Sequence, residues 1–303
     1  MVKRVKTIDE FHRLRGLSKP EHPLISVVKV QNARHLHTDE TELLVLDFYV
    51  IALKRVLNKS RLKYGQQEYD FNEGIMSFIS PNQVFGIVAD SKQEVKQSGW
   101  VLLIHPDFLW HTPLANTIRT YDFFDYSVTE ALFLSEKEEL TILGIIEAIQ
   151  REYQSTIDTF SQDILIAHVE TLLRYADRFY HRQFLTRRKA NHQILQSLET
   201  LLTAYFDSDD LSIKGLPSVQ SISGQLNVSV SYLSRLLKTL TGQTTQQHIH
   251  DKLIEKAKEK LSTTELSVSE IAYELGFGHS QSFSKFFKTK TAQSPLAFRQ
   301  SFN

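Results

Sequence analysis

From residue 191 to the end of the chain, apolar side chains recur at helical spacing in one segment after another. Ile194, Leu198, Leu201, Leu202 and Tyr205 share one helix face. Ile249, Leu253, Ala257 and Leu261 recur every four residues with Ile254 beside them, which predicts a long helix over about 245–261. The Asp207–Asp210 segment and Pro217 mark the breaks between them. Before residue 130 the pattern is different. Short β-branched and aromatic runs (Ile25–Val30, Leu43–Leu53, Gly74–Ile79, Val84–Val88, Gly99–Ile104, Tyr121–Val128) alternate with turn signals at Asn72-Glu73-Gly74, Ser80-Pro81-Asn82 and Lys92–Ser98. Such spacing suggests a small antiparallel barrel or sandwich.

Two amphipathic helices separate these regions. Ser135-Glu136-Lys137-Glu138 is a capping-box pattern, followed by Ile142, Ile145, Ile146, Ile149 and Tyr153 at helical spacing. A second helix is expected from about 161 to 183, with Ile164, Leu165, His168, Leu172, Tyr175, Ala176 and Phe179 on one side. These helices either cover the strand-rich part or pair with their counterparts in a second subunit, and the two roles are compatible. The expected architecture is therefore α+β and multidomain. Residues 1–185 form a first domain, strand-rich to about 130 with helices over 135–183. A basic linker follows at 186–190 (Thr186-Arg187-Arg188-Lys189), and residues 191–303 form an all-α domain.

The all-α part contains one unit written twice. Leu233-Ser234-Arg235-Leu236-Leu237-Lys238 returns fifty positions on as Phe283-Ser284-Lys285-Phe286-Phe287-Lys288, and Ile222, Leu226 and Val228 are answered by Ile271, Leu275 and Phe277. Each copy reads as helix, tight turn, helix. Asn227 suits a left-handed turn position in the first copy and Gly276 in the second. Ser229 can cap the second helix of copy one, and Ser280 or His279 that of copy two; Ser267-Val268-Ser269-Glu270 is another capping box. Leu233, Leu236, Leu237 and Phe283, Phe286, Phe287 form the expected buried sides. A connecting helix of roughly 16 residues spans about 24 Å. Canted helices at its ends could match major grooves about 34 Å apart.

Charge adds direction to this picture. The formal net charge is zero, but residues 211–303 hold 11 Lys/Arg against 6 Asp/Glu, and residues 1–210 hold 24 against 29. A basic tail favours a polyanionic partner. The absence of cysteine excludes disulfides, cysteine zinc sites and thiol redox chemistry. The N-terminus reads as polar and charged, unlike a secretory signal, and the longest apolar runs fall short of the roughly 20 residues of a membrane helix. The cytoplasm is the expected compartment and no membrane partner is implied.

At these residues the chain resembles the AraC/XylS family of bacterial transcription regulators. The resemblance runs through Ser269-Glu270-Ile271-Ala272-Tyr273-Glu274-Leu275-Gly276-Phe277, then Ser282-Phe283-Ser284-Lys285-Phe286-Phe287-Lys288 and Ser294-Pro295-Leu296-Ala297-Phe298-Arg299. In copy one it runs through Ser229-Val230-Ser231-Tyr232-Leu233-Ser234-Arg235 and Thr241-Gly242, and in the connecting helix through Lys252, Ala257 and Leu261. Residues 191–302 are covered. The chain departs from the family pattern at Ser223 (usually Ala), at Asn227 and Ala292 (usually Gly) and at Lys252 (usually Arg).

Pro81-Asn82-Gln83 and Gly99-Trp100 through His105-Pro106-Asp107 resemble the sensory half of such regulators in a form common in Bacteroidetes. The resemblance implies a cupin-like β-barrel with flanking dimerisation helices, ahead of two helix-turn-helix units. That barrel either binds a small-molecule effector or serves as a platform for a homodimer formed through helices 135–183. Double-stranded promoter DNA is the implied partner and RNA polymerase a further candidate.

Carried over by position, base-edge contacts come from Ser231, Tyr232, Ser234 and Arg235 in copy one, and from Ser280, Gln281, Ser282, Ser284 and Lys285 in copy two. Arg235 suits guanine, Gln281 adenine, and Lys238 and Lys288 suit phosphates. With its Arg in place of Lys, copy one is expected to discriminate sequence more strongly.

A competing reading is a cupin-like metal-dependent enzyme with an accessory helical domain. His35-Leu36-His37 with Glu42 has the strand spacing of a shared metal site. The glycines that frame the cupin motif are missing, however, and no second His motif lies near Pro81. His105-Pro106-Asp107 is a His/Asp pair that the proline marks as a loop. No catalytic residue, metal or cofactor is expected, and no phosphate loop, dinucleotide fingerprint or nucleophile elbow is present.

Overall fold

The computed structural model describes residues 2–33, 42–56, 63–64, 67–68, 74–87, 97–127, 130–155, 158–186, 188–208 and 211–301. It divides into two compact units, Met1–Gln183 and Phe184–Asn303.

The first unit opens with β1 (Val2–Val5) and α1 (Ile8–Leu14), then β2 (Ile25–Lys29), β3 (Glu42–Leu46), β4 (Tyr49–Val56), β5 (Lys63–Tyr64) and β6 (Gln67–Glu68). β7 (Gly74–Ile79), β8 (Val84–Ile87), β9 (Gln97–Ile104), the short α2 (Leu114–Thr117) and β10 (Leu132–Leu134) follow, ahead of α3 (Glu136–Tyr153) and α4 (Ser161–Thr186). The strands form an antiparallel sheet of order β10-β7-β4-β9-β2, a three-stranded sheet of order β1-β3-β8 and the β5-β6 pair. Only Asp47 and Phe48 separate β3 from β4, yet the two strands belong to different sheets, so the apolar run read as one strand is two with a corner between them. Phe48 is fully buried there. It joins Val5 and Leu46 of one sheet to Val50, Ile79 and Leu103 of the other, with Ile8 of α1 beside them. The register explains the grouping: Val50 faces both Ile79 and Leu103 across the ladder, and cross-strand partners share a face. Among the described residues the two sheets pack together without closing into a hydrogen-bonded barrel.

Several expectations are corrected. The run expected as a strand at Tyr121–Val128, whose last residue lies outside the described residues, is otherwise not one: Asp122–Asp125 is a tight helical turn that buries Phe123 and Phe124, and Phe123 stacks on Tyr180 of α4 at 5.5 Å. Two aromatics flanked by aspartates satisfy a turn better than an alternating strand. β1 and α1 escaped notice because their charged residues masked the pattern; α1 is opened by a full capping box between Thr7 and Glu10. In α4 the buried stripe is Leu165, Ile166, Val169, Leu172, Leu173, Ala176, Phe179 and Tyr180, whereas Ile164 is exposed. Gln183 accepts from Phe133 N–H at 2.8 Å and donates to the Ala131 carbonyl, so a side-chain amide occupies the free edge of β10.

The second unit is all helical: α5 (Arg188–Phe206), α6 (Leu211–Lys214), α7 (Val219–Gln225), α8 (Val230–Thr241), α9 (Thr245–Thr263), α10 (Val268–Glu274), α11 (Ser280–Thr291) and α12 (Pro295–Gln300). In place of the open linker expected at 186–190, α4 ends at Thr186 and α5 begins at Arg188; the segment holds no glycine or proline to stop a helix. One core joins these helices. Leu198, Leu202 and Phe206 of α5 meet Ile222 of α7, Leu233 and Leu237 of α8, the α9 stripe, Ile271 and Ala272 of α10, and Phe283 and Phe287 of α11. The sequence-expected four-residue stripe of α9 (Ile249, Leu253, Ala257, Leu261) is buried throughout.

Candidate nucleic-acid interface

The two helix-turn-helix copies close their turns with the same hydrogen bonds. In copy one, Leu226 N–H donates to Ile222, Asn227 to Gly224 and Val228 to Ser223; in copy two, Leu275 donates to Ile271, Gly276 to Tyr273 and Phe277 to Ala272. Asn227 (φ 54°) and Gly276 (φ 82°) take the left-handed conformation that this turn requires. The equivalence extends past the repeat that the sequence pattern revealed. Gly242 (φ 75°) and Ala292 (φ 61°) end α8 and α11 in the same left-handed cap. Thr241 and Thr291 each donate to a carbonyl four residues back, and Thr244 and Ser294 cap the helices that follow. One unit of helix, turn, helix and following cap is thus used twice.

On α8 the buried side is Leu233, Leu236 and Leu237. Ser231, Ser234, Arg235 and Lys238 follow at i, i+3, i+4 and i+7, which is one helix face. Within that set, Ser234 lies 3.4 Å from the Thr245 hydroxyl, and Lys238 donates to the Gly242 carbonyl at 2.8 Å. Arg235 is half-buried. Tyr232 flanks the set, half-buried, with its ring edge-on to buried Phe184 at 5.2 Å. On α11, Phe283 and Phe287 are buried and Phe286 is half-buried. Gln281, Ser284, Lys285 and Lys288 again follow at i, i+3, i+4 and i+7; Gln281, Ser282, Lys285 and Lys288 are exposed, and Ser280 and Ser284 are half-buried.

The cations of this unit divide into committed and uncommitted groups. Along α9, Lys252 pairs with Glu255, Lys256 with Asp207 and Glu259, and Lys260 with Glu274, at 2.6–3.0 Å. Lys256 holds the Asp207 carboxyl below its ordinary value, first through the hydrogen bond and then through charge. Arg299, part of the family-like motif, donates to the Leu261 and Leu266 carbonyls and closes the end of α9. In contrast, no carboxylate among the described residues pairs with Lys285, Lys288 or Lys290 of α11, all of which are exposed. Lys290 was missed by repeat matching because its counterpart fifty positions back is Leu240.

The candidates in the first unit fare differently. His35 and His37 lie outside the described residues, as does the side chain of Glu42. His105 accepts from Asp107 N–H at 3.3 Å and its ring lies 3.5 Å from the Asp107 carboxylate, so it caps the turn at Pro106–Leu109. Among the described residues no cluster of three His, Asp or Glu side chains is arranged to hold a metal, and no helix is long and apolar enough to cross a membrane.

Two helix-turn-helix units built on one core define a double helix-turn-helix domain. A helix-turn-helix domain family matches residues 222–301. An uncharacterized HTH-type transcriptional regulator in the cgkA 5' region of Pseudoalteromonas carrageenovora is 35% identical over 86 residues, 28% of this chain and 51% of that protein. The HTH-type transcriptional activator RhaS of Enterobacter sp. (strain 638) is 36% identical over 83 residues, 27% of this chain and 30% of that protein. The solved C-terminal domain of the two-component response regulator yesN from Fusobacterium nucleatum is 32% identical over 37% of this chain and 98% of its own length, with a TM-score of 0.30. The chain thus spans about half the length of one curated relative and less than a third of the other. Residues 222–301 thus carry a helix-turn-helix domain similar to that of HTH-type transcriptional regulators.

Proposed function

We propose that the chain is a sequence-specific regulator of transcription that inserts α8 and α11 into successive major grooves of promoter DNA. The observation that carries this reading is the duplicated turn geometry, which presents two equivalent helix faces, one of them bearing Lys285 and Lys288, with no carboxylate partner among the described residues. Base-edge contacts are assigned to Ser231, Tyr232 and Arg235, with Ser234 placed nearer the α9 corner, and to Ser280, Gln281, Ser282, Ser284 and Lys285. Lys238 and Lys288 are assigned to phosphates, which fix position without reading sequence.

We read the first unit, whose two sheets pack together, as the sensory half, which binds a small-molecule effector. Homodimerisation through α3 and α4 is supported by the exposed Leu140 and Ile164 and by Phe160 just ahead of α4. RNA polymerase is the partner such a regulator would engage in the cytoplasm.

The test is a salt titration of binding to promoter fragments and to random duplexes. Specific binding whose affinity falls with a log–log slope of about −0.9 per neutralised phosphate supports the reading. Equal, salt-insensitive binding to all DNA, or none, rejects it.

A further inference from the structure

We propose that His248 and His250 of α9 hold the two recognition helices at a set separation, so that the protein selects operators by the spacing between their two half-sites. The proposal rests on the DNA-reading function above and adds to it a pair of positioning residues.

His248 Nε2 lies 3.0 Å from the hydroxyl of Thr241, the last residue of α8. Thr241 is itself anchored to the Leu237 carbonyl at 2.8 Å, so the imidazole grips a fixed point at the end of the first recognition helix. His250 presents its ring edge-on to Phe286 of α11, with centroids 5.0 Å apart and planes at 74°. Phe286 also meets Phe277 from the preceding turn at 5.8 Å, so this contact reaches both the second recognition helix and its turn. Residues two apart on a helix diverge by about 200°. The two rings therefore leave α9 on opposite sides, one toward α8 and one toward α11, while Ile249 between them is buried in the core.

Neighbouring contacts stiffen this arrangement. Gln243, just after the left-handed cap of α8, donates to Asp251 on α9 at 2.9 Å. Further along, Lys256 and Lys260 tie α9 to Asp207 and Glu274, beyond either recognition helix. Burial lowers the pKa of both imidazoles. For His250, Lys290 adds to the lowering and Asp251 opposes it; for His248, Asp251 and Glu199 oppose it. Burial thus favours the neutral ring at both positions, and since the Thr241 hydroxyl donates to Leu237, His248 Nε2–H is the donor to Thr241. A planar ring has few rotatable bonds to lose, so it transmits position better than a flexible side chain would.

The full chain is tested on an operator enriched from random duplex DNA, compared with versions lengthened or shortened by one base pair between the half-sites. One base pair turns a half-site by about 35° and shifts it by about 3.4 Å. Wild type should prefer the selected spacing by roughly tenfold or more, the scale of a mismatch penalty. His250→Ala should shrink that preference to within about threefold while leaving discrimination at individual bases intact. His250→Phe, which keeps a ring edge against Phe286, should restore it. His248→Ala should relax spacing as well, and His248→Gln, which keeps a polar contact to Thr241, should relax it less. Should His250→Ala fail to fold by circular dichroism, His250→Leu is read in its place. If the variants weaken all spacings equally, the histidines serve stability alone and the inference is overturned. If wild type enriches no sequence at all, it is the underlying DNA-reading function that fails.

Discussion

Asn227 and Gly276 occupy the same turn position in the two helix-turn-helix copies, at φ 54° and 82°, and their neighbours set them different requirements. Asn227 is exposed, and asparagine tolerates the left-handed conformation. A Cβ at Gly276 would meet the Leu211 carbonyl at 3.0 Å and the Gly215 backbone at 3.1 Å. Copy two therefore needs glycine for conformation and for space, copy one for neither. The recognition helices differ in the same manner. Lys238 spends its hydrogen bond on the carbonyl of its own cap, whereas Lys285, Lys288 and Lys290 have no carboxylate partner among the described residues. The hydrogen-bonded frame is common to both copies, and the side chains diverge wherever each copy meets something different.

The largest expected effect separates the two turns. Gly276→Ala should cost about 2–4 kcal/mol, from left-handed strain together with the close approach. Asn227→Ala should cost only about 1 kcal/mol, the conformational part alone. Urea unfolding with hydrogen exchange at the α10 and α11 amides measures both. Equal costs would show that the contact with Gly215 yields without penalty.

Next comes the division of labour between recognition helices. Arg235→Ala should lose about 1–3 kcal/mol of discrimination at one base position and relax specificity there. Lys288→Ala should weaken all sequences alike and reduce the salt slope by about 0.9. Position-resolved binding profiles at two salt concentrations decide; the reverse pattern would assign reading to copy two and holding to copy one.

A third contrast lies at the helix ends. Ala292 holds φ 61° where copy one has Gly242 at φ 75°, and a Cβ at Gly242 would meet nothing within 4 Å, so that position is governed by conformation alone. Ala292→Gly should stabilise the unit by about 0.5–1 kcal/mol and Gly242→Ala should destabilise it by a similar amount. Thermal unfolding reads both signs, and a destabilised Ala292→Gly would contradict the strain argument.

These contrasts also mark what could be read before any coordinates. Helical periodicity located α3, α5 and α9 because each has one broad apolar face and no competing signal. The repeat exposed the two turns because Ile222, Leu226 and Val228 return in register as Ile271, Leu275 and Phe277. The sequence could not reveal which cations are already engaged. Arg299 looks like a polyanion ligand in one dimension, yet it donates to two carbonyls at the end of α9. Nor could it show that the apolar run at 43–53 turns a corner at Phe48, or that Phe123 and Phe124 are buried from a turn. Burial there depends on partners distant in the chain, such as Tyr180.

The fourth contrast concerns how the recognition helices begin. Ser229 accepts from Tyr232 N–H and caps α8, whereas His279 heads α11 with extended backbone and no side-chain capping bond. His279→Ser should supply the missing acceptor and stabilise the unit by about 1 kcal/mol, while Ser229→Ala should cost about the same. The two substitutions thus move the melting temperature in opposite directions.

The smallest effect distinguishes the first helices of the two copies by pH. α10 opens with a capping box in which Ser267 and Glu270 bond reciprocally, whereas α7 has only Ser218, with Ser221 at the position of the glutamate. Hydrogen bonds from the Ser267 side chain and backbone hold Glu270 below its ordinary carboxylate value. A depressed folded-state pKa contributes stability that is present above the unfolded value and is lost as pH falls through the folded one. Hydrogen exchange followed from about pH 5 down to about pH 3 should therefore show α10 losing protection that α7 keeps. Glu270→Gln keeps an acceptor without the charge, so it should flatten the α10 response and bring the two copies together. Equal acid sensitivity of α7 and α10 in the wild type would place its origin outside the capping box.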